Sequence, residues 1–165
     1  MPLTVQEILD DKAGKGGRTH GVAPGAPVRE AVAAMVREDI GSVVVLDGEA
    51  LAGILTLREL LKGLDALGPR LLDTPVREVM NPSPAVVHPE DSADSLRAMM
   101  TERHVSHATV LKDGRLVGIV SFHDIARSAV KDVAFENRLL KQYIKNWPQS
   151  LRQHLEARRR ATARP

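Results

Sequence analysis

An internal repeat constrains this chain more than any other feature. Displacing the sequence by 65 residues aligns 22–62 with 87–127 without a gap. Nine pairs are identical: Val22/Val87, Pro24/Pro89, Ala33/Ala98, Met35/Met100, Val45/Val110, Leu46/Leu111, Leu51/Leu116, Gly53/Gly118 and Ile54/Ile119. Others are conservative, among them Ile40/Val105, Thr56/Ser121, Glu59/Asp124 and Leu60/Ile125. Upstream, VQEIL (5–9) matches VREVM (76–80) at a displacement of 71. The first copy therefore holds six additional residues, within the Gly/Lys-rich stretch Lys12–Thr19, which its composition marks as loop. Two copies are too few for a solenoid; they predict two units packed about a pseudo-twofold axis.

Each copy reads β-α-β-β-α. A short extended piece (Gly21–Ala23; Val86–His88) leads into an amphipathic helix. Its apolar face carries Val28, Ala31, Val32, Met35 and Val36 in the first copy. In the second it carries Leu96, Met99 and Met100, after the N-cap candidates Asp91 and Ser92. The runs Val43–Leu46 and Ala108–Leu111 are too short for helices. Asp47-Gly48 and Asp113-Gly114 are hairpin signals before the runs Leu51–Leu55 and Leu116–Val120. A second helix closes each copy. Continuous apolar strands imply sheets covered by helices, so the class is α/β. The expected organisation is repeat 1 over 1–68 and repeat 2 over 69–131. An amphipathic C-terminal helix follows over 132–148 (Val133, Phe135, Leu139, Leu140, Tyr143, Ile144, Trp147), then a basic tail over 149–165.

Composition removes several functions. The chain of 165 residues has no Cys, which excludes disulfides, thiolate catalysis and Cys-ligated metals. Its four aromatics are too few for a base-stacking surface. The net charge of +2 divides into −5 over residues 1–137 and +7 over 138–165, so only the tail has the sign to meet nucleic acid. No apolar run approaches the roughly 20 residues of a bilayer span, and MPLTVQEILDDK resembles no export signal. The expectation is a cytoplasmic protein without membrane contact. No nucleophile, base and orienter stand in a recognisable set, so no catalytic residue and no enzyme is expected. His104, His107 and His123 lack a clear carboxylate partner, and no metal site is expected.

The candidate site lies at the two strand-to-helix junctions, GILTLRE (Gly53–Glu59) and GIVSFHD (Gly118–Asp124). Thr56-x-x-Glu59 and Ser121-x-x-Asp124 are capping-box patterns, sufficient to explain either motif alone. They also suit a nucleotide. A glycine admits close backbone approach, a helix N-terminus with a hydroxyl suits phosphate, and a carboxylate one turn in can accept both hydroxyls of a ribose. Recurrence at equivalent places in both copies favours the second reading.

Ile40–Leu60 (IGSVVVLDGEALAGILTLREL), His104–Ile125 (HVSHATVLKDGRLVGIVSFHDI) and VREVM resemble a tandem pair of cystathionine-β-synthase-type (CBS) domains, a Bateman module, over roughly residues 4–130. VAFENRLLKQYI is similar to the C-terminal helix of small stand-alone bacterial members. The resemblance implies two β-α-β-β-α units with clefts between them, commonly paired into a homodimer. It also implies an adenosine-containing regulatory ligand (AMP, ADP, ATP, NAD or S-adenosylmethionine) and an unidentified protein partner. Carried over by position, Gly118, Ser121 and Asp124 complete the family's Gly-x-x-Ser/Thr-x-x-Asp motif, with Asp124 toward ribose and Ser121 toward phosphate. His107, His123 and Val87 join them. Gly53, Thr56, Arg58 and Glu59 form a second, degenerate site, because Glu59 is one methylene longer than the family's Asp. Of the family's His-Leu-Pro entry to the second strand only His107 survives. A ligand-free dimerisation or adaptor protein on the same fold is the alternative.

Overall fold

Two three-stranded sheets of identical topology carry out the expected repeat. The computed structural model describes residues 2–129; the segment 132–148 and the tail 149–165 lie outside the described residues. The chain falls into two units, Met1–Ile125 and Ala126–Pro165, and all the packing discussed below lies in the first. The elements are α1 (Val5–Gly14), β1 (Gly21–Val22), α2 (Val28–Glu38), β2 (Ser42–Asp47), β3 (Ala50–Thr56) and α3 (Leu57–Leu67). Tight 3-10 turns follow at Gly68–Asp73 and Val76–Glu78, then β4 (Val86–Val87), α4 (Ala93–Arg103), β5 (His107–Lys112), β6 (Arg115–Ser121) and α5 (Phe122–Ala129).

In the first sheet β1 runs parallel to β2, and β2 antiparallel to β3; β4, β5 and β6 repeat the arrangement. The register repeats as well: Val44 faces Ile54 and Thr109 faces Ile119. The second hairpin turns at Asp113-Gly114, both with positive φ, as a two-residue turn of matching twist requires. The first turns at Gly48-Glu49, one residue beyond the expected Asp47-Gly48, because Asp47 is still paired with Ala50.

The strands are apolar throughout because both faces are covered, each by a different layer. Val43, Val45 and Leu55 pack under α2 with Val28, Ala31 and Met35. Ala108, Val110 and Val120 pack under α4 with Leu96 and Met100. The opposite faces meet each other: Val44, Ile54 and Ile119 form a seam between the sheets, with Leu46, Leu51 and Leu116 around it. Thr109, the counterpart of Val44, is fully buried, and its hydroxyl donates to Ala85 O at 2.9 Å, which satisfies it. Helices thus cover one face of each sheet, and the other repeat covers the second. On α2 the expected apolar face is narrower than its spacing suggests, for Val36 is 77% exposed. It lies about 100° beyond Met35 around the helix, off the buried arc.

The segments upstream of each repeat are exchanged. Val5 and Ile8 of α1 are fully buried, and they lie in the core of the second repeat. Val76 is fully buried in the core of the first. The backbone bonds that anchor them correspond pair by pair. Val5 N donates to Asp91 O, Gln6 N to Pro89 O and Ala93 N to Leu3 O; Val76 N donates to Ala26 O, Arg77 N to Pro24 O and Val28 N to Thr74 O. Each repeat is completed by a segment that precedes the other in sequence.

α1 also runs further than composition suggests. Lys12, Ala13 and Gly14, read as loop, are helical. A capping box at Thr4 and Glu7 starts the helix, and no proline interrupts it. The equivalent segment after Met80 meets Asn81-Pro82, and proline cannot continue a helix.

Candidate functional site

At the second junction β6 runs into α5 through Ser121. Ser121 Oγ accepts the Asp124 N–H at 3.0 Å, and Asp124 Oδ2 accepts the Ser121 N–H at 2.9 Å, a reciprocal cap. The Asp124 side chain is 7% exposed, so its charge needs partners. Lys12, on the last turn of α1, supplies one: its Nζ stands 2.9 Å from Asp124 Oδ2 and also donates to Ile119 O at 2.9 Å. Burial acts to raise the pKa of Asp124, but the Ser121 amide and the Lys12 ammonium outweigh it and hold the carboxyl below its ordinary value. A buried, ionised acceptor results.

The first junction has the same cap and a different neighbour. Glu59 Oε2 accepts the Thr56 N–H at 3.0 Å and the Thr56 hydroxyl, while Thr56 Oγ1 accepts the Arg58 N–H at 3.2 Å. Among the described residues no cation pairs with Glu59. Arg58 is exposed and reaches the other repeat, where its Nη1 donates to His104 O at 2.7 Å.

His107 lies between the junctions. It is the first residue of β5, paired with Ser121, and its ring stands against Gly41 ahead of β2. Its Nδ1 lies 3.0 Å from Ser106 Oγ. Burial is the main cause that lowers its pKa, Lys12 adds to it, and Asp124 and Glu59 act the other way. The charges of both junctions therefore converge on this imidazole.

The remaining expected residues fall less centrally. Val87 lies on β4, paired with Val110, and is 6% exposed within the core of the second repeat. His123 is on the exposed face of the first turn of α5. Both junction glycines lie close against a neighbouring segment. A Cβ on Gly53 would meet Asn81 O at 2.5 Å and Met80 Sδ at 2.9 Å; on Gly118 it would meet Leu9 Cδ2 at 2.8 Å. Leu9 and Met80 are equivalent under the 71-residue displacement, so both glycines admit the exchanged segments. No group of three or more His, Asp or Glu among the described residues is arranged to hold a metal.

Lys12 is the residue that sequence reasoning missed. Val5, Ile8, Leu9 and Lys12 stand at i, i+3, i+4 and i+7, one helical face, and that spacing was the available signal.

The CBS-domain family model matches residues 20–66 and 76–131, which spans both sheets and both junctions. The chain belongs to the CBS-domain family. A mitochondrial CBS domain-containing protein of Arabidopsis thaliana is 32% identical over 122 residues, 71% of this chain and 59% of the relative, so this chain spans well under two thirds of that protein. A CBS-domain containing protein from Agrobacterium tumefaciens superposes with a TM-score of 0.70 at 31% identity, covering 77% of this chain and 93% of the other. A CBS domain protein from Pyrobaculum aerophilum in complex with AMP shares the fold, with a TM-score of 0.63 at 23% identity over 74% of this chain and 89% of its own. The two matched stretches make this a tandem CBS pair on a mixed α/β fold. No helix among the described residues is long and apolar enough to cross a membrane.

Proposed function

We propose that this chain is a regulatory CBS pair that binds an adenosine-containing ligand (AMP, ADP, ATP or NAD) in the cleft between its repeats and relays occupancy to a protein partner. Asp124 carries the reading. It is a buried carboxylate held ionised at the start of α5, beside Ser121 and His107, and ionised carboxylates are strong acceptors for ribose hydroxyls. AMP in the Pyrobaculum relative supports the ligand class. A ligand that prefers one arrangement of the repeats shifts the population toward it, and a partner reads the difference. With this reading goes the cytoplasmic location expected from the sequence.

A thermal-shift screen with these four nucleotides at about 1 mM tests the reading. A ligand with a dissociation constant near 10 µM stabilises by about 2.7 kcal/mol. Asp124→Ala should weaken binding about tenfold, or about 1.4 kcal/mol. Unchanged affinity in a folded Asp124→Ala protein would remove the site from this junction.

We read the module as a homodimer joined through α3. Leu57, Leu61 and Leu64 are 64%, 69% and 55% exposed, beside a groove lined by Leu60, Pro69, Leu71 and Leu72. A contiguous apolar face of this kind is a docking surface, and a second copy would offer the same leucines in return. Leu61→Asp should then sediment as monomer where the wild type sediments as dimer; a monomeric wild type refutes the pairing.

One observation favours the adaptor reading instead. Lys12 and Ser121 already satisfy Asp124 Oδ2, and Leu9 already explains Gly118, so neither residue needs a ligand. Silence from every nucleotide in the screen would select that reading.

A further inference from the structure

The inference drawn here rests on the nucleotide reading above and concerns which adenosine compounds the site admits. Asp124 is already taken. Its Oδ2 receives the Lys12 ammonium at 2.9 Å, on a carboxylate only 7% exposed. A ligand that sets both ribose hydroxyls on Asp124 therefore competes with Lys12 for Oδ2. The displaced ammonium then needs another counter-charge, because an unpaired cation in a half-closed site is costly. A phosphate supplies one and a neutral nucleoside does not.

We propose that Lys12 selects for phosphate-bearing adenosine ligands by occupying Asp124 until a phosphate takes its charge. Several observations suit it to the role. It reaches in from the last turn of α1 on a flexible four-carbon stem, whose ammonium can turn between acceptors. It is 24% exposed, so the cleft can hydrate it during the exchange. Its second contact, Ile119 O, is a backbone carbonyl that anchors the head beside the junction. The first repeat lacks an equivalent. Ser83 stands 71 residues after Lys12, its N–H is held by Asn81 Oδ1 at 2.9 Å, and Glu59 has no cation among the described residues. Among the described residues, selection by charge belongs to the second junction.

Titration calorimetry with AMP and with adenosine, on the wild type, Lys12→Met and Lys12→Arg, tests this. The wild type should prefer AMP by about thirtyfold or more, and Lys12→Met should narrow that ratio about tenfold, chiefly because adenosine binds more tightly once Lys12 no longer competes for Asp124. Lys12→Arg keeps the charge and should retain the ratio within about threefold. Lys12→Gln, which keeps a donor for Ile119 O, replaces Lys12→Met if the latter does not fold. A ratio unchanged in the neutral variant overturns selection by Lys12 and leaves the nucleotide reading intact. Absence of any binding by wild type and variants overturns the nucleotide reading, and the selection with it.

Discussion

At Gly53 the neighbour that forbids a side chain is the backbone of Asn81; at Gly118 it is the side chain of Leu9. The two junctions descend from one sequence pattern, and the segments that press on them differ in kind. After Met80 the chain reaches Asn81-Pro82, leaves the helical path and bridges to Ile54, exchanging Ile54 N→Asn81 O at 3.0 Å for Asn81 N→Ile54 O at 2.8 Å. After Leu9 it stays helical, and the carbonyl equivalent to Ile54, Ile119 O, is met by Lys12 Nζ instead. A backbone seals the first junction. A lysine ammonium bridges the second. Equivalent carboxylates thus acquire unequal surroundings, and the Ser121 amide and the Lys12 ammonium draw Asp124 below its ordinary pKa.

The glycines break this comparison most sharply. In Gly53→Ala the new methyl meets a carbonyl held in a two-way bridge, so the junction must move, at a cost of about 3 kcal/mol. In Gly118→Ala it meets the far end of Leu9, which can rotate aside for about 1 kcal/mol. Urea unfolding of both variants measures the gap. Equal losses would mean that the first junction yields as readily as the second.

A smaller effect comes from His107, whose counterpart in the first repeat is the buried Ser42. Burial, with help from Lys12, lowers the imidazole's pKa below 6.5. Above that value both folded and unfolded chains hold it neutral and its contribution is intact. As pH falls through 6.5 toward the folded value, the unfolded chain takes up the proton first and stability is lost. The urea midpoint of the wild type should therefore drop between about pH 7.5 and about pH 5, and that of His107→Gln should drop less. Identical profiles would show that the cleft leaves His107 solvated.

Much of this was legible before the structure. The repeat, the order of elements and the two capping boxes follow from residue type and short spacing: a hydroxyl and an acid three apart cap a helix wherever they fall. The extent of α1 was less legible, because Gly14, Gly16 and Gly17 obscure a helix that Val5, Ile8, Leu9 and Lys12 nonetheless pattern. Spacing sets Val36 on the apolar face of α2, and the packing leaves it exposed. Val87 and His123 were carried over with the family motif; one lies within the second repeat's core and the other faces outward.

By itself the sequence determined two α/β units with caps at equivalent junctions, because hydrophobic period, turn chemistry and capping are local and each copy states them twice. Tertiary structure decided that the two upstream segments change places, so that Leu9 and Lys12 arrive at Gly118 and Asp124 from more than 100 residues away. That pairing depends on which core each amphipathic segment fills. VQEIL and VREVM are near-equal in pattern, and only the packed arrangement of both repeats distinguishes their destinations.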